Sequence, residues 1–522
     1  MKPIPVRAAS VAAAIAVAAA GSAVTASAGR AETPRAQTPR AETPRAETPR
    51  AETPRAAPRE EPAGCVPVPG AVCGRVRVPL VRDHPEMGGT TVAYALIRHR
   101  DTARPAKGTV AVNPGGPGDS AIAMASAYAR MFGGLLRDHD LLLVDPRGVN
   151  RSDPVRCGAL GALPATRDGF VRALGDCGRT LGTRARGYTS AEIADDIDAV
   201  RARLGIERLD LLGESYGTYL MTVYAQRHPG RVRSMVLSSA YPLDFDTWAR
   251  PSARAARRTL RLVCERGAGA CDGDKVLRDI ERLAGRLRAR PIAYTLRDER
   301  RLLDDTALAS IVYNLAKTAP AGIGDVPAMV RDALRGNDAP LIDAARRVAP
   351  MSGSALRLDE EQLINPEQAV AVMCNDYPKA WNRKAPVAVR LRQFSAGLAA
   401  LPERAYWPFG KRAWTSVGYG WGNACVRWPD RHGPVQPTGG PFPDVPVLVV
   451  SGDLDANTPT EQGRRAARQF RRSTVVEVPN VGHVAEREPS GCVAAIETGF
   501  VRDLRVGDTS CLADIPPVPV AR

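Results

Sequence analysis

Residues 209–217 read Leu209-Asp210-Leu211-Leu212-Gly213-Glu214-Ser215-Tyr216-Gly217. The first four are the apolar-rich run of a buried strand, and the residues from Thr218 to Arg227 read as a helix. Between them lies G-x-S-x-G. Glycines on both sides of the serine let the chain reverse sharply from strand to helix. The turn lifts the hydroxyl to a tip at a helix N-terminus. A short motif of this kind is weak alone; its placement between a strand and a helix makes it a candidate nucleophile site, with Ser215 as the nucleophile.

Working outward, Val76–Val81 and Thr91–Arg98 read as strands at a sheet edge. Thr109–Asn113, Leu141–Asp145, Met235–Ser239, Val445–Ser451 and Val475–Val478 read as further strands. Near-continuous Val/Leu runs suit strands covered on both faces of a parallel sheet. Ile193, Ile197, Val200 and Leu204 share one helical face, and Thr189 with Glu192 has the spacing of a capping box. Strand–helix alternation predicts an α/β class with a mostly parallel central sheet. From 247 to 430 that rhythm breaks into Arg-rich helical segments (Ala253–Glu265, Asp279–Arg290, Leu341–Val348) and a Trp/Tyr/Gly-rich part from Tyr406 to Trp428. We read this stretch as an inserted helical cap between core segments 63–246 and 431–522.

Three further motifs follow strand ends. Asn113-Pro114-Gly115-Gly116-Pro117-Gly118 supplies a backbone without Cβ atoms, suited to aiming N–H groups at a developing oxyanion. The expected donors are the amides of Gly116, with Gly115 the alternative, and of Tyr216. Asp455 lies in Ser451-Gly452-Asp453-Leu454-Asp455-Ala456-Asn457-Thr458-Pro459, and His483 follows Val481-Gly482. An imidazole here would take the serine proton, and a carboxylate would fix its tautomer. Asp453 is the rival acid; Asp455 is preferred because it stands further past the strand. His84, His99, His139, His228 and His432 lack this placement and are expected to be structural or surface residues.

The 522 residues carry 72 Lys/Arg against 56 Asp/Glu, a net charge of +16. Residues 1–61 hold nine Lys/Arg and six Glu, leaving about +13 on the body. The basic residues are mostly Arg spread along the chain, and aromatics are only 5%. That pattern lacks the stacking platform of a nucleic-acid binder. A basic surface with loose attraction to an anionic cell envelope is the expectation. Lys2, Arg7, the apolar Ala8–Ala20 and Ala26-Ser27-Ala28 read as a secretory signal over 1–28. Five tandem pentapeptides, A-E/Q-T-P-R, fill 31–55, so 29–62 reads as an extended Pro-rich linker or pro-segment. Ten cysteines suit an exported protein. Proximity suggests Cys65–Cys73, Cys157–Cys177, Cys264–Cys271 and Cys492–Cys511, leaving Cys374 for Cys425; sequence alone does not fix connectivity. There is no CxxC and the six His are scattered, so neither a metal nor a cofactor is expected.

Taken in order, NPGGPG (113–118), DPRG (145–148), YTSAEIADDIDAVRARLG (188–205), GESYGTYL (213–220), HPGRVRSMVL (228–237), GDLDANTP (452–459) and GH (482–483) resemble the actinobacterial tripeptidyl aminopeptidases and their mycobacterial serine-protease and esterase relatives. That group lies in the proline-iminopeptidase branch of the α/β-hydrolases. The resemblance implies the α/β-hydrolase fold and a secreted serine exopeptidase acting on a peptide or protein N-terminus. It places Ser215, Asp455 and His483 on the family triad, and Gly116 and Tyr216 on its oxyanion hole. A carboxylesterase using the same triad is the alternative. Asn150 replaces the second Gly of the usual D-x-R-G-x-G turn; Val484 and Ser238-Ser239-Ala240 also depart from the pattern and are expected to line the pocket region. A substrate ammonium calls for carboxylates. By position Glu214, Glu367 and Asp376 are candidates, but each reads first as an ordinary salt-bridge or surface carboxylate, and none is singled out.

Overall fold

Eight strands form one sheet: β1 (Ala71–Pro79), β2 (Gly89–Ile97), β3 (Gly108–Asn113), β4 (His139–Val144), β5 (Leu209–Glu214), β6 (Val232–Ser238), β7 (Pro446–Gly452) and β8 (Arg472–Val478). Their order is β1-β2-β4-β3-β5-β6-β7-β8. Only β2 runs against the others; β4, β3, β5, β6, β7 and β8 are parallel neighbours. Every residue of β4, β5 and β7 is buried, as apolar runs covered on both faces require. The chain is described by a computed structural model over residues 65–522, except 159, 161–165, 297, 319, 349–356, 359–360, 419–421 and 430–435. The signal and linker readings at 1–28 and 29–62, and His432, lie outside the described residues.

The two-residue period of the strands sorts their side chains to two faces. Leu142, Leu211, Leu237 and Val449 join one core, packed under the helices Arg167–Leu181, Ser190–Arg203 and Tyr216–Arg227. Leu141, Leu143, Leu212, Val236 and Val450 join the other, covered by the helices Ala125–Met131 and Cys492–Asp503. The helix Ser190–Arg203 begins where Thr189 and Glu192 predict, and Thr189 Oγ1 accepts from Glu192 N at 3.2 Å. The capping box is only half made. The Glu192 carboxylate takes the backbone N–H of Arg82 (2.9 Å) and its guanidinium instead, because a charged donor is a stronger partner.

A third core is built by the helices Arg250–Arg266, Gly273–Ala289, Asp305–Thr318, Val326–Leu334 and Ala339–Val348. A hairpin pairing Ile292–Leu296 with Glu299–Leu303, unforeseen in the sequence, flanks them; its strands are exposed or half-exposed except at Leu303. Leu454 and Ala456, from the loop after β7, are buried in this third core and join it to the sheet. The helix Pro366–Asp376 instead packs on the first core, together with Cys425 and Trp428. Five disulfides join Cys65–Cys73, Cys157–Cys177, Cys264–Cys271, Cys374–Cys425 and Cys492–Cys511.

Candidate active site

Ser215 stands between β5 and the helix Tyr216–Arg227 with φ 54° and ψ −119°. This is a region that L side chains rarely adopt, held here by close packing. A methyl group on Gly213 would collide with Gly217 O, and one on Gly217 would collide with Asn113 O. The backbone is pinned further: Ser215 N donates to Ser238 O at 3.0 Å, and Thr218 N to Ser215 O at 2.9 Å. The sharp turn therefore brings the elbow against the Gly-rich loop after β3. A Cβ on Gly115 would lie 3.1 Å from both Ser215 Cβ and Tyr216 N.

Gly115 N donates to Asn113 Oδ1 at 3.1 Å, so that amide is already occupied. Gly116, at φ 97°, lines the cavity that contains Ser215. Tyr216 is the first residue of its helix, where an N–H has no intrahelical acceptor. Neither the Gly116 N–H nor the Tyr216 N–H has a hydrogen-bond acceptor among the described residues. The loop itself is stapled from outside. Ser120 N donates to Leu363 O and Asn365 N to Gly118 O, each at 2.8 Å. The Asn365 amide also donates to Gly148 O (2.7 Å) and Val155 O (3.0 Å), tying the Gly-rich loop to the Asp145–Gly148 turn. Asp145 accepts from Ser120 Oγ (2.7 Å), Ile122 N (3.0 Å) and Asn150 Nδ2 (3.1 Å). Burial pushes its carboxyl up to about 6 even though those donors favour the charged form. Asn150, where glycine is usual, adopts φ 41° and its side chain supplies this extra donor.

Asp455 and His483 are brought together from the ends of β7 and β8. The imidazole Nδ1 and Asp455 Oδ2 are 2.8 Å apart, with the carboxylate fully buried. Burial alone would raise the Asp455 pKa; the neighbouring His483 and the donors Thr458 Oγ1 (2.6 Å), Thr458 N (3.0 Å) and Asn457 N (2.8 Å) outweigh it and bring it down to about 2. Asp455 is thus an ionised acceptor that fixes the proton on Nδ1 and leaves Nε2 as the basic nitrogen. The rival, Asp453, points away, pairing with Arg266 at 2.6 Å and accepting from Asn480 N at 2.9 Å.

Ser215 shares its cavity with Asn457 and Thr458, the residues that flank the imidazole. Its hydroxyl is not hydrogen-bonded to His483. Nε2 instead meets Asn457 Nδ2 at 3.1 Å, and Asn457 Oδ1 accepts from the hydroxyl of Tyr313 on the helix Asp305–Thr318. The same helix reaches His483 itself where His483 N donates to Lys317 O at 3.3 Å. Asn457, Thr458, Tyr313 and Lys317 went unnoticed in sequence reading; only the Asn-Thr-Pro that follows Asp455 hinted at two of them.

One expectation needs correction. Val484 and Ser238-Ser239-Ala240 do not line the cavity: Val484 N donates to Ser239 Oγ at 2.7 Å, and Ser238 Oγ bonds Glu486, so they lock the His483 loop to β6. The carboxylates considered for a substrate ammonium are engaged elsewhere, as their reading as ordinary structural partners has it. Glu214 is buried against Arg487 (2.5 Å), Glu367 accepts from Cys157 N (2.6 Å) and Asp376 from Ser190 N (2.6 Å). Burial pushes Asp376 up to about 6. The carboxylate among the described lining residues is Asp246, already bound to Arg250 at 2.7 Å. Around it the lining is aromatic: Tyr241, Phe245, Tyr313 and Tyr377.

Two family models match the chain: one described as the alpha/beta hydrolase fold over residues 108–305, and one described as TAP-like protein over 412–511. Serine protease Hip1 of Mycobacterium tuberculosis (strain ATCC 25618 / H37Rv) is 34% identical over 196 residues, covering 34% of this chain and 37% of that protein. The tripeptidyl aminopeptidase of Streptomyces coelicolor is 31% identical over 186 residues, covering 32% and 34%. Carboxylesterase B of Mycobacterium tuberculosis (strain CDC 1551 / Oshkosh) is 44% identical over 90 residues, 17% of each chain. The match thus spans little more than a third of the first two relatives.

Proposed function

From a chain of the α/β-hydrolase fold, we propose an exported serine peptidase that releases short peptides, tripeptides by analogy with the Streptomyces relative, from free N-termini. The observation that carries the catalytic reading is the 2.8 Å contact between buried Asp455 and His483 beside the cavity that holds Ser215. In this reading the hydroxyl of Ser215 attacks the scissile carbonyl as its proton passes to His483 Nε2. The oxyanion is received by the Gly116 and Tyr216 amides, and Nε2 then gives the proton to the leaving amine. Water repeats the sequence on the acyl-enzyme and frees the acid. For Nε2 to act, the amide of Asn457 must turn aside. Five disulfides support an oxidising destination.

The test compares a tripeptidyl anilide with its N-acetylated form. Cleavage of the free peptide only is expected; equal cleavage of both rejects the exopeptidase reading. A second reading, carboxylesterase, draws on the aromatic lining and on Asp246 being engaged by Arg250. A short-chain p-nitrophenyl ester turned over far faster than the anilide would select it.

A further inference from the structure

Lys317 lines the same cavity as Ser215, at the end of the helix Asp305–Thr318. Its backbone oxygen accepts from His483 N, which sets the residue beside the catalytic base. The side chain is partly buried, and its ammonium has no hydrogen bond or ion pair among the described residues. Asp119 and Asp455 act on it only through space: Asp119 is half-buried against the Gly116 turn, with its Oδ1 unpartnered but beyond ion-pair distance of the ammonium, and Asp455 is saturated by His483 and Thr458. The other charged group on the lining, Asp246, is neutralised by Arg250. A desolvated cation without a partner is costly to hold, and burial presses this lysine below its usual range. Its retention in an aromatic cavity beside the reacting serine is explained by a ligand that supplies the missing anion.

We propose that Lys317 is a specificity-determining residue that pairs with a carboxylate on the substrate, so that acidic substrates are preferred over their neutral isosteres. This deepens the serine-hydrolase reading of Ser215 and rests on it. The carboxylate has two sources, an acidic side chain on the acyl segment or the free C-terminus of a short substrate.

The experiment measures kcat/KM for two matched pairs with the full chain: Glu against Gln at successive acyl positions with an amidated C-terminus, and a neutral peptide with a free against an amidated C-terminus. Wild type should favour the acidic member of at least one pair by about tenfold. Lys317→Met should bring that ratio to near one, and Lys317→Arg should restore most of it; the ratio cancels any general loss of activity. The pair that responds identifies the source. Ratios near one in the wild type for both pairs, or a ratio that Lys317→Met leaves in place, overturn the proposal. A neutral fluorophosphonate applied to the wild type separates the two levels. Labelling at Ser215 with no acidic preference defeats the lysine proposal alone, whereas failure to label defeats the reading of Ser215 and the proposal with it.

Discussion

In the proposed mechanism the Ser215 hydroxyl must compete with the Asn457 amide for the lone pair on Nε2 of His483. The resting molecule fills it with the Asn457 amide, held in turn by Tyr313. Asn457→Ala removes that competitor while the backbone N–H of residue 457 still serves Asp455. Labelling of the serine by a neutral fluorophosphonate should then quicken by roughly fivefold, the worth of one hydrogen bond of about 1 kcal/mol. Slower labelling would mean that the amide positions the ring rather than restrains it. Removal of the base itself has a larger consequence: His483→Ala should cut kcat on the order of 10⁴-fold or more, since the triad acts as a unit. Steady-state kinetics on a protein with an unchanged melting curve checks this, and retention of most activity rejects His483 as the base.

The elements differ in how openly the sequence announces them. The elbow is legible because its requirements are local: a buried strand, two glycines that cannot carry a Cβ, and a helix start. Asp455 and His483 are legible for a similar reason, each standing just past a Val-rich strand. Asn365, Tyr313 and Lys317 are not, because their partners lie far off in the chain and meet only once separate segments have packed. Asn365 reaches Gly148 and Val155 across more than 200 positions, and nothing in its neighbourhood marks it. The departures at Ser239 and Val484 misled for the opposite reason: neighbours of a catalytic histidine suggest a pocket, yet they bond each other beneath it. Asn365→Ala should loosen both the Gly-rich loop and the Asp145–Gly148 turn. Stability should fall by about 2–3 kcal/mol, because Gly148 O, Val155 O and two N–H groups of the following helix lose their partner. Urea unfolding measures it; a loss under 0.5 kcal/mol would show that the staple carries no load.

Across the whole molecule, charge and covalent links govern stability. Behind the elbow lie Glu214, Glu486 and Glu497, all fully buried, with Arg487 as the paired cation. Burial first, and then the Glu214 charge, push Glu486 up to about 8, so the folded chain holds a proton there that the unfolded chain releases at ordinary glutamate pH. Stability from this group is complete below the unfolded value and is lost as pH rises toward 8. The melting temperature of wild type should therefore fall between pH 5 and 8 more steeply than that of Glu486→Gln; parallel curves would contradict the assignment. Among the disulfides, Cys374–Cys425 closes the longest separation, 51 residues, for which loop entropy gives about 4 kcal/mol, against about 2.5 for the seven-residue Cys264–Cys271. Paired Cys→Ser replacements should lower the melting temperature in that order. The whole account turns on an activated alcohol at the tip of β5, and mass spectrometry after fluorophosphonate treatment tests it most directly. A single adduct on the peptide bearing Ser215, abolished in His483→Ala, is the predicted result; an unmodified chain, or an adduct on another residue with Ser215 untouched, would contradict it.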